Sequence, residues 1–107
     1  MTYRFDASVG LIVVAARLFG PTGDLIVRLA LDTGATYLMI PWDVAEILGL
    51  NPELSKQSIP IITASGTEKV PLVNIESVSV LGNKATNVKA VIHDLPERSY
   101  VDGLLGL

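Results

Sequence analysis

Leu29-Ala30-Leu31-Asp32-Thr33-Gly34-Ala35-Thr36 joins an apolar segment to a small polar turn, and the reading of the whole chain works outward from that junction. Before the turn, Leu25, Val27, Leu29 and Leu31 alternate with Asp24, Ile26, Arg28 and Ala30, the two-residue period of a half-buried strand. Further back, residues 9–18 are rich in Val, Ile and Leu, and Gly20-Pro21-Thr22-Gly23 separates the two apolar arms. That pattern predicts a β-hairpin whose second arm delivers Asp32 to a turn. Thr33 and Gly34 keep the turn small, so that backbone donors reach the carboxylate and a ligand approaches closely. Taken alone, Asp-Thr-Gly reads more readily as a common turn in which Asp32 caps Gly34 or Ala35, and it is the apolar strand before it and Ala35-Thr36 after it that reverse this.

After the turn, Tyr37 to Ile40 predicts a second apolar strand, and Pro41 opens a short helix through Leu48 with Gly49 just past its end. Val44, Ile47 and Leu48 are its expected inward face. Residues 51–58 read as a loop. Strands are expected over 59–63, 68–74 and 75–81, with turns at Ala64-Ser65-Gly66-Thr67 and Gly82-Asn83. One more strand follows over 85–93, then a polar connection containing Pro96, then the apolar end Gly103-Leu104-Leu105-Gly106-Leu107. The expected class is all-β, a single domain over residues 1–107 with one short helix. Because that apolar end has nothing after it to pack against, a further C-terminal piece is expected in the natural protein.

Composition narrows the chemistry. With 107 residues the chain suffices for one domain and one site. Half of its residues are apolar, which excludes an extended disordered chain. A net charge of -3, with eight scattered Lys and Arg, gives no basic footprint, so nucleic acid is not an expected partner. The absence of cysteine removes disulfides, zinc thiolates and thiol nucleophiles. The longest apolar run, Leu11 to Ala16, falls far short of the roughly 20 residues of a spanning helix, and residues 1–6 do not read as a secretory signal. No membrane span is expected, and the cytoplasm is the default location.

Peptide hydrolysis without a metal or a covalent intermediate needs one group to take a proton from water and another to give one to the carbonyl oxygen. Two close carboxylates sharing one proton do both, since ionising both is unfavourable. Here the sequence resembles the retropepsin-like aspartic proteases, whose active-site strand reads apolar-apolar-Asp-Thr-Gly-Ala followed by Ser, Thr or Asp. A second mark of that family, an apolar-apolar-Gly segment threading behind the catalytic loop, resembles Leu104-Leu105-Gly106. Between the two the family places a mobile hairpin, the flap, and Ile61 to Val70 is similar in position and character. An ordinary exposed β-turn accounts for those residues equally well.

The resemblance implies a retropepsin-like closed barrel and a catalytic set of Asp32, Thr33 and Gly34. Asp32 would hold and activate water, Thr33 would fasten two active-site loops together, and Gly34 would admit substrate. Ala35, Ile62, Ala64, Ser65, Gly66, Thr67 and Leu104 would touch peptide, with Gly66 giving the flap its pliancy, and Arg28, Ile40, Ile62 and Leu104 are guesses for the specificity pockets. One such Asp per chain implies a homodimer with two copies of Asp32 at a two-fold axis. The family's helix and last strand after Leu-Leu-Gly are missing here. The implied partner is a peptide or protein substrate, and no cofactor or metal is expected. The rival reading is a module of the same fold that binds an extended peptide or dimerises without cleaving.

Other residues read more plainly. His93-Asp94 lacks a serine in a nucleophile elbow and reads as a surface pair. Trp42 and Tyr37 fit core or hinge packing better than a ligand platform. Asp43, Glu46, Glu53, Asp94, Glu97 and Asp102 lack the spacing of a calcium loop and read as solvated charges.

Overall fold

The computed structural model describes residues 12–32, 36–63, 65–95 and 101–106. Expectations for Thr33, Gly34, Ala35, Ala64 and the connection through Pro96 lie outside them. Seven strands are described: β1 (Val13–Gly20), β2 (Gly23–Asp32), β3 (Leu38–Ile40), β4 (Ser58–Thr63), β5 (Gly66–Val80), β6 (Asn83–Ile92) and β7 (Gly103–Gly106). A single α-helix, α1 (Trp42–Leu48), and a 3-10 turn over Pro52–Leu54 separate β3 from β4.

The predicted first hairpin forms, pairing from Val13↔Ala30 to Gly20↔Gly23. The sheet order is β1-β2-β7-β3-β6-β5-β4, and β5 also pairs with β1 through Ala16↔Val80 to Phe19↔Ser77. That last pairing closes six strands into a barrel and leaves β4 outside it, bonded only to the far half of β5.

Strand alternation divides the apolar residues between two cores. Val14, Ala16, Leu18, Val27, Leu29, Leu38, Ile40, Ile75, Val78, Ala90 and Ile92 fill the barrel together with Val44, Ala45 and Leu48 of α1. Their neighbours in sequence, Ala30, Met39, Val91 and Leu104, face the other way, and Ile61, Val70, Leu72 and Val101 join them in a second cluster. The β4–β5 hairpin contributes Ile61 and Val70 to that cluster, so hairpin and barrel share buried surface.

The two strands expected over 68–81 are one strand of 15 residues. Val73 and Ile75 point inward before Glu76, whereas Val78 and Val80 do so after it. β5 switches faces at the point where the Glu76–Asn87 rung is missing from the ladder and Asn87 has φ 53°. Asparagine tolerates that left-handed conformation better than most residues. Pro71 stands where the β5–β6 ladder stops, at Leu72↔Val91. Lacking an N–H, it cannot carry that ladder further, and the strand beyond it pairs with β4 alone.

The helix forms where Pro41 predicts it, with a different inward face. Val44, Ala45 and Leu48 are buried, while Ile47 is 51% exposed. With about 100° between successive residues, 44, 45 and 48 centre on one side and 47 lies on its flank. At the C-terminus Gly49 N–H bonds Glu46 O and Leu50 N–H bonds Ala45 O, a Schellman ending. From the β1–β2 turn, Thr22 N–H donates to Leu48 O (3.2 Å) and Thr22 Oγ1 to Ile47 O (3.1 Å), satisfying two more terminal carbonyls.

Candidate active site

Asp32 is the last residue of β2 and is half-buried. The strand that ends at Asp32 is held along both edges. On one, Leu31 N–H donates to Ile12 O at 2.9 Å. On the other, β7 runs parallel to β2 with pairs Leu29↔Gly103, Ala30↔Leu104, Leu31↔Leu105 and Asp32↔Gly106. Thr36 is exposed, Tyr37 packs against the second core, and β3 follows. β3 pairs with the opposite edge of β7 through Met39↔Leu104. Leu104-Leu105-Gly106 is thus inserted between the strand that leads into Asp-Thr-Gly and the strand that leaves it. This is the threading that the two sequence marks imply.

Two residues beside that insertion have roles that the sequence reading missed: Gly103, and Asp102, which in sequence reads as a solvated charge. A Cβ on Gly103 would overlap the Met39 carbonyl and stand 3.2 Å from Leu29 Cδ2, so any larger residue would push β3 away from β7. Asp102 bonds Arg28 twice: its N–H donates to Arg28 O at 2.8 Å, and its Oδ2 accepts from Arg28 N–H at 2.8 Å. Asp94 is also more than a solvated charge, because its Oδ1 accepts from Trp42 N–H (3.0 Å), the first amide of α1. A polar residue at Pro41 would supply such a cap locally; here a strand-end residue supplies it from a distance.

The expected substrate contacts separate by exposure. On β4, Ile61 is buried and Ile62 is 51% exposed, opposite Thr67. Ser65, Gly66 and Thr67 form the exposed tip, and Gly66 has φ 121°, a conformation open to glycine and costly for other residues. Arg28 is exposed on the outer face of β2. Of the other residues expected near the specificity pockets, Ile40 is fully buried in the barrel core and Leu104 is 3% exposed in the second core. Both are wall residues in this protomer, since the alternation of β3 and β7 turns them into packing. Trp42, expected in packing, is 41% exposed.

A cleft of about 890 Å³ lies elsewhere, lined in part by Trp42, Asp43, Glu46, Glu53, Asp94 and Asp102. Three of those five carboxylates already accept backbone N–H groups, Asp43 from Val44, Asp94 from Trp42 and Asp102 from Arg28. Among the described residues no group of three or more His, Asp or Glu is placed to hold a metal, and no helix is long and apolar enough to cross a membrane.

Comparison with known proteins agrees with this geometry. The fold matches the crystal structure of a retropepsin-like aspartic protease from Rickettsia conorii with a TM-score of 0.64 and 23% identity, covering 92% of this chain and 84% of that one. Among curated protein sequences, no match was found. The family model for aspartyl proteases matches residues 14–107, a span that holds both the Asp32 turn and the Leu104-Leu105-Gly106 insertion. The chain therefore belongs to the aspartyl protease family and has its retropepsin-like form.

Proposed function

We propose that this chain is one subunit of a homodimeric aspartic endopeptidase, with Asp32 of each subunit meeting at a two-fold axis. The observation that carries the reading is the position of Asp32, at the end of a strand clamped on both edges and opposite Gly106 of the inserted segment. Such clamping holds the strand end that presents the carboxylate in one place.

The chemistry follows from two such groups sharing one proton. The ionised carboxylate takes a proton from a water molecule as its oxygen attacks the scissile carbonyl carbon. The protonated partner gives its proton to the carbonyl oxygen, which forms a neutral tetrahedral diol. The diol then collapses: the carboxyl that took the water proton gives it to the nitrogen as the C–N bond breaks, the amine leaves, and one diol hydroxyl gives its proton to the other carboxylate, which yields the acid product and restores the singly protonated dyad. Since each chain supplies one Asp-Thr-Gly, assembly of two chains is part of the mechanism. In this reading Thr33, Gly34 and Ala35 complete the turn around each carboxylate. The β4–β5 hairpin, with Ile62, Ala64, Ser65, Gly66 and Thr67, covers an extended peptide and keeps bulk water from the dyad.

Digestion of a peptide library from mildly acidic to neutral pH, with and without a pepstatin-type inhibitor, tests the proposal. Inhibitable cleavage within peptides that disappears in Asp32→Asn is the expected result. Cleavage that survives Asp32→Asn would remove Asp32 from the chemistry, and no cleavage by the native protein would favour the peptide-binding module.

A further inference from the structure

We propose that Asp102 is a positioning residue for Asp32, setting the register in which β7 lies against β2; this rests on the protease reading above. The short ladder that supports Asp32 has only four rungs, from Leu29↔Gly103 to Asp32↔Gly106. Burial of Leu104 and Leu105 in opposite cores already disfavours a one-residue slip, and in so short a ladder the fine alignment is fixed by what stands at its start.

Asp102 stands there. Its main-chain N–H donates to Arg28 O and its side chain accepts from Arg28 N–H, one residue before β7 begins at Gly103. Both bonds are 2.8 Å, and together they hold one residue of β7's approach against one residue of β2. A slip by one residue would place Leu105 or Leu107 opposite Asp32 in place of Gly106. It would also exchange Leu104, buried in the second core, with Leu105, which packs against the first. Gly103 blocks a sideways escape, because it lies against the Met39 carbonyl with no room for a Cβ. The contact therefore acts on the carboxylate four residues along β2 through the main chain.

The part that matters is an acceptor oxygen at the reach of an aspartate side chain, and not the negative charge. Asp102→Asn keeps that oxygen, and Asp102→Glu keeps the charge but moves the oxygen by one methylene. Each full-length variant is assayed for kcat and KM per active site titrated with a statine-type inhibitor, for its pH–kcat profile, and for the pH titration of the Asp32 carboxyl 13C signal, assigned by its loss in Asp32→Asn. Asp102→Glu is expected to lose kcat by on the order of 10- to 100-fold, the effect of displacing a reacting group by about 1 Å. Its KM should stay within about twofold, as for a loss confined to the transition state, while the pH profile and the Asp32 signal both move. Asp102→Asn is expected to recover most of the activity and the native Asp32 titration.

The opposite ranking, with Asp102→Glu like the native protein and Asp102→Asn impaired, would overturn the proposal in favour of a charge effect. So would two variants with native kcat per titrated site and an unmoved Asp32 signal. A native protein that cleaves nothing would instead overturn the protease reading, and the Asp32 signal in the two variants would still decide whether Asp102 positions that carboxylate.

Discussion

Asp32 and Gly106 face each other across the last rung of a parallel ladder, 74 residues apart in sequence. The rung belongs to a layer in which β7 is pressed between β2 and β3, so the tolerance of that layer to added volume is the first property to test.

Gly103→Ala should be severely destabilising. Its new methyl group would overlap the Met39 carbonyl, which belongs to a strand only three residues long and buried throughout. Overpacking against backbone costs about 1–3 kcal/mol, with the upper end expected where neither strand can yield. Urea unfolding monitored by Trp42 fluorescence measures the loss, and a native midpoint in the variant would refute the close approach.

The Asp94 contact with α1 predicts a separate, smaller effect. Asp94→Ala removes the acceptor for Trp42 N–H, and loss of a helix N-cap costs about 0.5–2 kcal/mol. Asp94→Asn retains an oxygen and should lose less. Thermal melts of the pair check this, with equal losses contradicting the cap.

Leu81 offers a stabilising change. It has φ 51° beside Gly82 at φ 80° in the β5–β6 turn, and its side chain is 78% exposed. A leucine in that conformation costs roughly 1–2 kcal/mol that asparagine largely avoids. Leu81→Asn should raise the melting temperature, and a fall would show that the Leu81 side chain makes a contact that outweighs the backbone cost.

Ile61 and Ile62 are adjacent on β4 and point opposite ways, one buried in the second core and one 51% exposed. Ile61→Ala should lower stability by about 2–5 kcal/mol, as in other buried isoleucine truncations. Ile62→Ala should stay within about 0.5 kcal/mol of native stability while lowering kcat/KM, given the substrate contact proposed for it. Paired denaturation and cleavage assays separate the two effects, and an Ile62→Ala enzyme with native kcat/KM would take that side chain out of the peptide-binding surface.

How much of this was legible follows from the range of the forces involved. The hairpin that delivers Asp32 announces itself locally, through alternating Leu and Val around a Gly-Pro-Thr-Gly break, and it forms as read. The helix did so only in part, since one turn of apolar periodicity does not distinguish Ala45 from Ile47 as the inward residue. The single long β5 was hidden because its face switch at Glu76 depends on Asn87 in the neighbouring strand. Asp94 and Asp102 looked like solvated charges because each acts on a backbone amide 52 or 74 residues away. Ile40 and Leu104, expected near the specificity pockets, are packed in the two cores, and an apolar side chain fits a wall or a pocket equally well. Which one a side chain becomes is set by the packing of β3, β7 and the hairpin, and no local pattern records that.

The stoichiometry of a tight statine-type inhibitor, measured by titration calorimetry, tests the shared dyad most directly. One inhibitor per two chains, with no binding to Asp32→Asn, is the result expected for two carboxylates contributed by two subunits. Saturation at one inhibitor per chain, or undiminished binding by Asp32→Asn, would contradict it.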